Sequence, residues 1–203
     1  MKYASTLLLL FVSIFSLSQD LTGNELLEKS IQFHNPTGSW STFNGALLVT
    51  MKTPKNSNRK SKININLPKE YFSVVAVRDS IMTEFILHKV ACSFSFNGDK
   101  NPSEEIKKKY NLNCERAKML KDYYTYLYGL PMKLKDKGTI INQKVIKKTF
   151  QGKDYLMLKV TYSEEVGKDT WCFYFDSKSC SMEVYQFFKD VHKNDTEYIL
   201  FSG

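Results

Sequence analysis

The sequence lacks the short motifs that usually reveal an enzyme. It contains no nucleophile-elbow, P-loop or dinucleotide-binding signature and no HExxH. Histidine is scarce, with three residues scattered as His34, His88 and His192, and no CxxC pair occurs, so a zinc site is not expected. These absences predict a protein that is not an enzyme and that has no metal or cofactor.

One acidic loop is the exception, because it carries Glu164, Glu165 and Asp169 close together in the sequence. A paired-carboxylate hydrolase needs two carboxyl groups at a controlled separation across a cleft, one of them with a raised pKa. Nothing in the sequence fixes such a geometry, so a solvated loop is the preferred interpretation. A hydrolase stays as the least favoured hypothesis, and a polar cleft converging on residues 164–169 would support it.

Long hydrophobic runs are absent beyond the first residues of the chain. Lys2 is followed by an apolar run, Thr6 to Leu17, and by a small-x-small site at Ser16–Ser18. The run is shorter than the roughly 20 apolar residues that span a bilayer. We therefore predict a cleaved signal peptide over residues 1–18 and one domain over residues 19–203, periplasmic or secreted, without a transmembrane segment in the mature protein. An uncleaved N-terminal helix is the alternative.

The formal net charge is +8, which becomes +7 if Lys2 is removed with the signal peptide (8 − 1). Two basic patches, residues 52–62 and 144–153, hold much of the excess. Neither patch shows the exposed aromatics or the helix motif of nucleic-acid modules, so nucleic acid is not an expected partner. Solvated turns are the simplest interpretation, and an anionic membrane surface or an acidic partner is the alternative.

Cysteine is limited to four residues, none before Cys92, which excludes a lipid-modified N-terminal cysteine. In an exported chain they are expected to be oxidised. Cys92 and Cys114 bracket a polar segment, so we predict a disulfide between them. The residues leave open whether Cys172 and Cys180 are bonded to each other.

Hydrophobic periodicity predicts a helix, a first β-meander, two helices and a second meander. A capping box at Thr22–Glu25 starts the first helix. Alternation then favours strands from Trp40 to Phe96, helices over residues 101–128, and strands from Thr139 onward. The predicted class is α+β, with about ten strands and about three helices.

The most apolar stretch is the predicted hairpin over residues 170–188. With a four-residue loop at Asp176–Ser179, the two strands would pair Phe175 with Cys180, Phe173 with Met182, and Trp171 with Val184. In this register one apolar face continues across both strands, and Cys172 points to the other face with Tyr174, Tyr185 and Phe187. We predict that the face bearing Trp171, Phe173 and Phe175 lies under the helices of residues 102–128.

Four stretches carry a resemblance to a known superfamily. They are Tyr128–Leu134 (YGLPMKL), Phe150–Tyr155 (FQGKDY), Val166–Trp171 (VGKDTW) and Glu183–Phe188 (EVYQFF). Together with the element order and the export signal, they resemble an uncharacterised exported bacterial branch of the LolA/LolB-like lipoprotein carriers. The resemblance implies a strongly curved antiparallel sheet, an incomplete barrel closed by helices, with acyl chains held in the apolar space between.

The predicted function is therefore that of a periplasmic carrier, which holds a lipid, lipoprotein or other apolar ligand between the curved sheet and a helical lid. The expected cavity residues are Trp171, Phe173, Phe175, Met182, Val184, Leu156 and Leu158 of the sheet, with Leu120, Tyr123 and Leu127 of the lid. An envelope protein is a second candidate partner. The alternative function is a non-catalytic structural or interaction domain of the cell envelope with a filled core.

Overall fold

The computed structural model describes residues 21–190 and 195–200. The predicted signal peptide, residues 1–18, lies outside the described residues, as do most of the predicted turn at 191–195 and the last residues of the chain. Among the described residues, no helix is long and apolar enough to cross a membrane.

The described residues form eleven strands, three α-helices and two short 3-10 helices. In chain order they are α1 (Gly23–His34), a 3-10 helix (Ser39–Thr42), β1 (Asn44–Thr53), β2 (Asn56–Asn66), β3 (Tyr71–Arg78), β4 (Ile81–His88), β5 (Ala91–Phe96), α2 (Glu104–Tyr110), α3 (Cys114–Tyr128), a 3-10 helix (Met132–Lys135), β6 (Thr139–Ile141), β7 (Ile146–Phe150), β8 (Lys153–Tyr162), β9 (Thr170–Asp176), β10 (Met182–Asp190) and β11 (Asp195–Leu200). The class is α+β, as predicted, but eleven strands are present where about ten were predicted, and two 3-10 helices accompany the three α-helices.

Local sequence signals explain the helix boundaries. At the start of α1, Thr22 Oγ1 accepts from the Glu25 backbone N–H at 3.3 Å, and the Glu25 carboxylate accepts from the Thr22 N–H at 2.8 Å. This reciprocal pair is a capping box, which satisfies donors that the first helical turn leaves unpaired. Asn113 caps α3 with a single bond of this kind, its side-chain oxygen accepting from the Arg116 N–H at 2.7 Å.

Two strand predictions were wrong. The predicted strand from Thr139 to Phe150 is split into β6 and β7. The segment between them leaves the sheet and contacts the start of α1, where the Gly23 N–H donates to the Gln143 carbonyl at 2.9 Å. The strand predicted from Trp40 begins only at Asn44, because a 3-10 helix precedes it.

The strands form two antiparallel sheets, not the single curved sheet that the resemblance implied. The first is a five-stranded meander, β1-β2-β3-β4-β5, and the second has the order β11-β10-β9-β8-β6, with β7 also paired to β8. No closed barrel forms in the described part of the chain. The long helical segment between β5 and β6 separates the two meanders, so the strands on either side of it are not hydrogen-bonded neighbours.

Each sheet buries one face under a different helix. On the five-stranded sheet, Ile63, Phe72 and Val74 form a core with Ala117 and Tyr124 of α3. The six-stranded sheet has a separate core, described below, which contains Leu26 and Leu27 of α1. The prediction that residues 102–128 cover the hairpin was therefore wrong, because α1 covers most of it.

The opposite face of the six-stranded sheet is also buried, around Tyr174. Phe150 of β7 stacks on Tyr198 of β11 with ring centroids 4.9 Å apart, and it also contacts Tyr174 at 5.8 Å. In a flat sheet, four strand spacings would put β7 and β11 about 19 Å apart. The contact between their side chains therefore requires the sheet to curl toward this face.

The predicted register of the 170–188 hairpin was wrong in two respects: the strands are offset by two residues from the predicted pairing, and a bulge then shifts them by one more. Met182 pairs with Phe175, but the register then shifts, so that Val184 pairs with Tyr174 and Tyr185 with Phe173. The shift falls at Glu183, whose carboxylate accepts from Lys153 Nζ at 2.8 Å and from the Tyr155 hydroxyl at 3.0 Å.

The bulge changes which side chains share a face with Phe173. Tyr185 and Phe187 lie on that face, whereas Val184 packs against the cluster around Tyr174 on the opposite side. Cys172 and Cys180 lie in different clusters and are both unbonded, buried thiols. Burial raises the pKa of the Cys172 thiol.

The predicted disulfide between Cys92 and Cys114 is confirmed, with their Cα atoms 5.9 Å apart. It joins β5 to the first turn of α3. Replacing both residues, as Cys92→Ser with Cys114→Ser, should lower the free energy of unfolding by about 3 kcal/mol, because a loop of this length regains its unfolded-state entropy. Urea denaturation measures this change. Added reductant should destabilise the wild type and leave the double variant unchanged; equal midpoints for the two proteins would contradict the role of the disulfide.

His34, at the end of α1, accepts a hydrogen bond through Nε2 from the Met182 backbone N–H at 2.9 Å. Burial lowers the pKa of His34, and protonation would remove the accepting lone pair. The depressed pKa means that the stabilisation is complete above the unfolded pKa of about 6.5 and is lost as the pH falls through the folded value.

We therefore expect the melting temperature to fall between pH 7 and pH 5, and to fall less in His34→Gln, whose amide oxygen accepts without titrating. His88→Gln is the matched control and should keep the wild-type pH dependence. An unchanged pH profile in His34→Gln would contradict this assignment.

Candidate functional site

The centre of the predicted cavity is filled. Leu158, Phe173 and Phe175 are fully buried, and they belong to one cluster with Leu26 and Leu27 of α1. Met182 is buried in the same cluster. These residues form the core between the sheet and α1, so any ligand contact would have to occur at the edge of this cluster.

Three other predicted residues, Leu127, Leu156 and Trp171, lie at that edge. Each is partly buried against the cluster. Trp171 stands in an aromatic row, with ring centroids 5.9 Å from Phe173 and 5.3 Å from Phe187. Trp171 and Leu156 line two different openings in the surface.

The predicted lid residues of α3 do not face one common cavity. Leu120 packs on the five-stranded sheet, whereas Leu127 packs on the core of the other sheet. Tyr123 lies between them in sequence and is 42% exposed. The helix therefore spans the two cores and does not present a single apolar face to the hairpin.

Trp171 lines a small aromatic pocket of about 220 Å³ beside the end of α3. The other lining residues are Tyr126, Tyr162, Val166, Gly167 and Asp169. The hydroxyls of Tyr126 and Tyr162 are hydrogen-bonded to each other. Burial raises the pKa of both phenols, that of Tyr162 to about 12. Both hydroxyls are therefore protonated at neutral pH.

This pocket includes part of the acidic loop considered above for hydrolase chemistry. Asp169 is the one carboxylate among the lining residues, and Glu164 and Glu165 are exposed outside it. A two-carboxylate mechanism requires a second carboxyl group facing the first. The pocket does not supply that partner.

Leu156 lines a larger groove of about 630 Å³ where β7 and β8 meet the start of α1 and the loop between β9 and β10. Its apolar lining consists of Leu21, Val145, Ile146, Leu156 and Cys180. Val145 and Leu156 are only partly buried against the core beneath α1, which leaves aliphatic surface open to a ligand.

Four lysines surround the same groove: Lys29, Lys144, Lys147 and Lys178. None of them forms an ion pair with a carboxylate in the described part of the chain. Several ammonium groups without an ion-pair partner around one concave surface create a positive potential that attracts anions. The groove therefore combines an apolar floor with a basic rim.

The loop that closes one end of the groove is held by Asp176. Its carboxylate accepts from the backbone N–H groups of Lys178 at 2.9 Å and Ser179 at 2.8 Å. The hydrogen bond from Lys153 is the main reason why the pKa of Asp176 lies well below its usual range. This loop brings Cys180 into the groove in a left-handed conformation, with φ of 60°.

Sequence reasoning identified one part of the groove and missed the rest. The basic patch at 144–153 supplies Lys144 and Lys147, and the hydrophobic residues between them, Val145 and Ile146, were the available signal. Leu21 and Cys180 come from distant segments and could not be assigned to the groove from spacing alone.

Fold and groove together define an α+β protein with two separately covered antiparallel sheets and a basic, apolar-floored groove. The chain belongs to the family described as "Family of unknown function (DUF6503)", which matches residues 3–199. No curated protein matches the chain.

Proposed function

We propose that the protein is an exported, non-catalytic binding protein that holds the acyl chain of an anionic lipid or lipoprotein. The observation that carries the proposal is the groove of about 630 Å³ with Val145 and Leu156 in its floor and lysines on its rim. An acyl chain would lie on the floor, and its negatively charged head would face the ammonium groups.

The energetics favour an amphipathic ligand over a purely polar one. Each buried CH₂ group of an acyl chain contributes about 0.8 kcal/mol. Lysine adds attraction to a negative head without demanding a fixed geometry, because its ammonium is a point charge on a flexible stem. The volume of the groove also falls within the range of about 300–1,000 Å³ that is typical of small-molecule sites.

The resemblance to the lipoprotein carriers supports the same class of function. The element order of helix, meander, helices and meander agrees with that resemblance, and α1 lies in the position of a cover over the second sheet. We place the ligand at the edge of this cover, with Leu156 as the contact residue among the predicted cavity residues. Phe173, Phe175 and Leu158 then support the site from below.

A second candidate function is a structural or interaction domain of the cell envelope. The observation that favours it is the complete burial of Leu158, Phe173 and Phe175, which pack together with α1 and have no exposed surface. Ligand binding at the groove distinguishes the two candidates.

The test uses palmitate, an anionic acyl chain, with thermal unfolding and calorimetry as measurements. The wild-type protein should bind palmitate and unfold at a higher temperature in its presence, because a ligand that binds only the native state stabilises it. Val145→Asp should abolish the effect, because Val145 lines the groove and packs on the same core as Leu156, so the substitution places a carboxylate in the groove. Ile140→Asp is the matched control: Ile140 is 54% exposed on the neighbouring strand β6 and does not line the groove.

The charge of the rim is tested by Lys144→Glu with Lys147→Glu, compared with Lys148→Glu on the other face of β7. The double variant should weaken palmitate binding far more than binding of the uncharged alcohol of the same length.

Mass spectrometry of protein purified from its native envelope should also detect a bound lipid. If no lipid co-purifies and palmitate leaves the melting temperature unchanged, the carrier proposal fails and the filled-core domain is favoured.

A further inference from the structure

The first basic patch, residues 52–62, contains an arrangement that the groove does not explain. Arg59 of β2 lies directly opposite Arg78 of β3 in the antiparallel register. The Cα atoms of opposite residues in such a pair are about 4.5–5.5 Å apart, and like charges placed there repel each other. This juxtaposition therefore destabilises the sheet unless a counter-charge lies nearby.

Both arginines project from the face of the sheet that α3 covers. Arg59 alternates with Ile63, and Arg78 with Val74, and both of these apolar residues belong to the core beneath α3. Neither arginine is fully exposed. The two guanidinium groups thus lie at the end of the sheet face that α3 covers. Apolar or uncharged residues are usual at such positions.

The donors of the pair are mostly unused. Arg59 Nη2 donates to the Tyr124 hydroxyl at 3.1 Å, but the Nε atoms of Arg59 and Arg78 are buried and have no hydrogen-bond partner. A guanidinium carries five N–H donors, and a buried donor without an acceptor is unfavourable.

Carboxylates of the protein do not neutralise the pair in the described residues. Asp79, next to Arg78, instead accepts a hydrogen bond from Ser57 Oγ at 2.9 Å. The pKa of Tyr123 is raised mainly by burial, and the charges of Glu197 on β11 and of Arg59 also influence it. Among the ion pairs of the described residues, however, none joins Glu197 to either arginine. The charge of the two guanidinium groups is thus left for an external anion to balance.

We propose that Arg59 and Arg78 form a phosphate-binding site, in which the Tyr124 hydroxyl orients Arg59. A phosphate group presents several oxygens in a tetrahedral array and carries more than one negative charge. The phosphate oxygens can accept hydrogen bonds from two guanidinium groups at once, whereas one guanidinium group already satisfies both oxygens of a planar carboxylate. Binding would remove the repulsion within the pair and supply acceptors for the unpartnered N–H groups. This site is independent of the acyl-chain groove.

The experiment measures thermal unfolding and calorimetric binding with inorganic phosphate at constant ionic strength, with acetate and chloride for comparison. The wild-type protein should be stabilised by phosphate more than by acetate. Arg59→Gln and Arg78→Gln should each weaken phosphate binding about tenfold or more. Lys60→Gln is the matched control, since it removes the same charge one residue away on the opposite face of β2, and it should bind phosphate like the wild type.

Two further measurements separate a lost site from a damaged fold. Without phosphate, Arg59→Gln and Arg78→Gln should unfold at the wild-type temperature or above it, because each removes a like-charge contact. Arg59→Lys keeps the charge but loses the planar fork, and it should also bind phosphate more weakly. If Arg59→Lys binds as the wild type does, general electrostatic attraction explains the result and the proposal fails.

The source of the phosphate group is distinguished with vesicles of phosphatidic acid and of phosphatidylcholine. Arginine-dependent stabilisation by inorganic phosphate supports a small-molecule ligand. Arginine-dependent binding to phosphatidic acid vesicles alone supports a lipid headgroup. If neither probe depends on Arg59 and Arg78, the proposal is overturned.

Discussion

The need to cover two apolar sheet faces determines where α1 and α3 lie. Leu26 and Leu27 of α1 close the face that carries Phe173, and α3 closes the face that carries Ile63. Burial of apolar surface is the dominant favourable term in folding, so neither sheet is stable without its helix. The disulfide at Cys92 fastens α3 to the edge of the sheet that it covers.

Local signals made the helices predictable, and non-local contacts made the hairpin register unpredictable. The capping box at Thr22 and the cap at Asn113 are complete within a few residues of sequence. The bulge at Glu183, in contrast, is held by Lys153, thirty residues earlier in the chain and on another strand. Alternation alone therefore placed Val184 on the wrong face, since a single bulge inverts every side chain beyond it.

The two basic patches of the sequence belong to two different environments in the folded chain. Lys144 and Lys147 surround an apolar floor, whereas Arg59 meets Arg78 on the covered face of the first sheet. Composition revealed the excess charge but not these arrangements, because each depends on a partner from a distant segment. The difference between lysine and arginine also separates the sites: flexible point charges suit a variable headgroup, and planar forks suit a fixed oxyanion.

The stack of Phe150 on Tyr198 has a consequence for how copies of this chain meet one another. An open sheet ends in strands with unpaired N–H and C=O groups, which can recruit a strand from another molecule and start aggregation. In the second sheet, curling turns β7 and β11 toward each other and places aromatic rings between them. An incoming flat strand would therefore meet a bent edge, so the aromatic contact also protects the protein from strand addition.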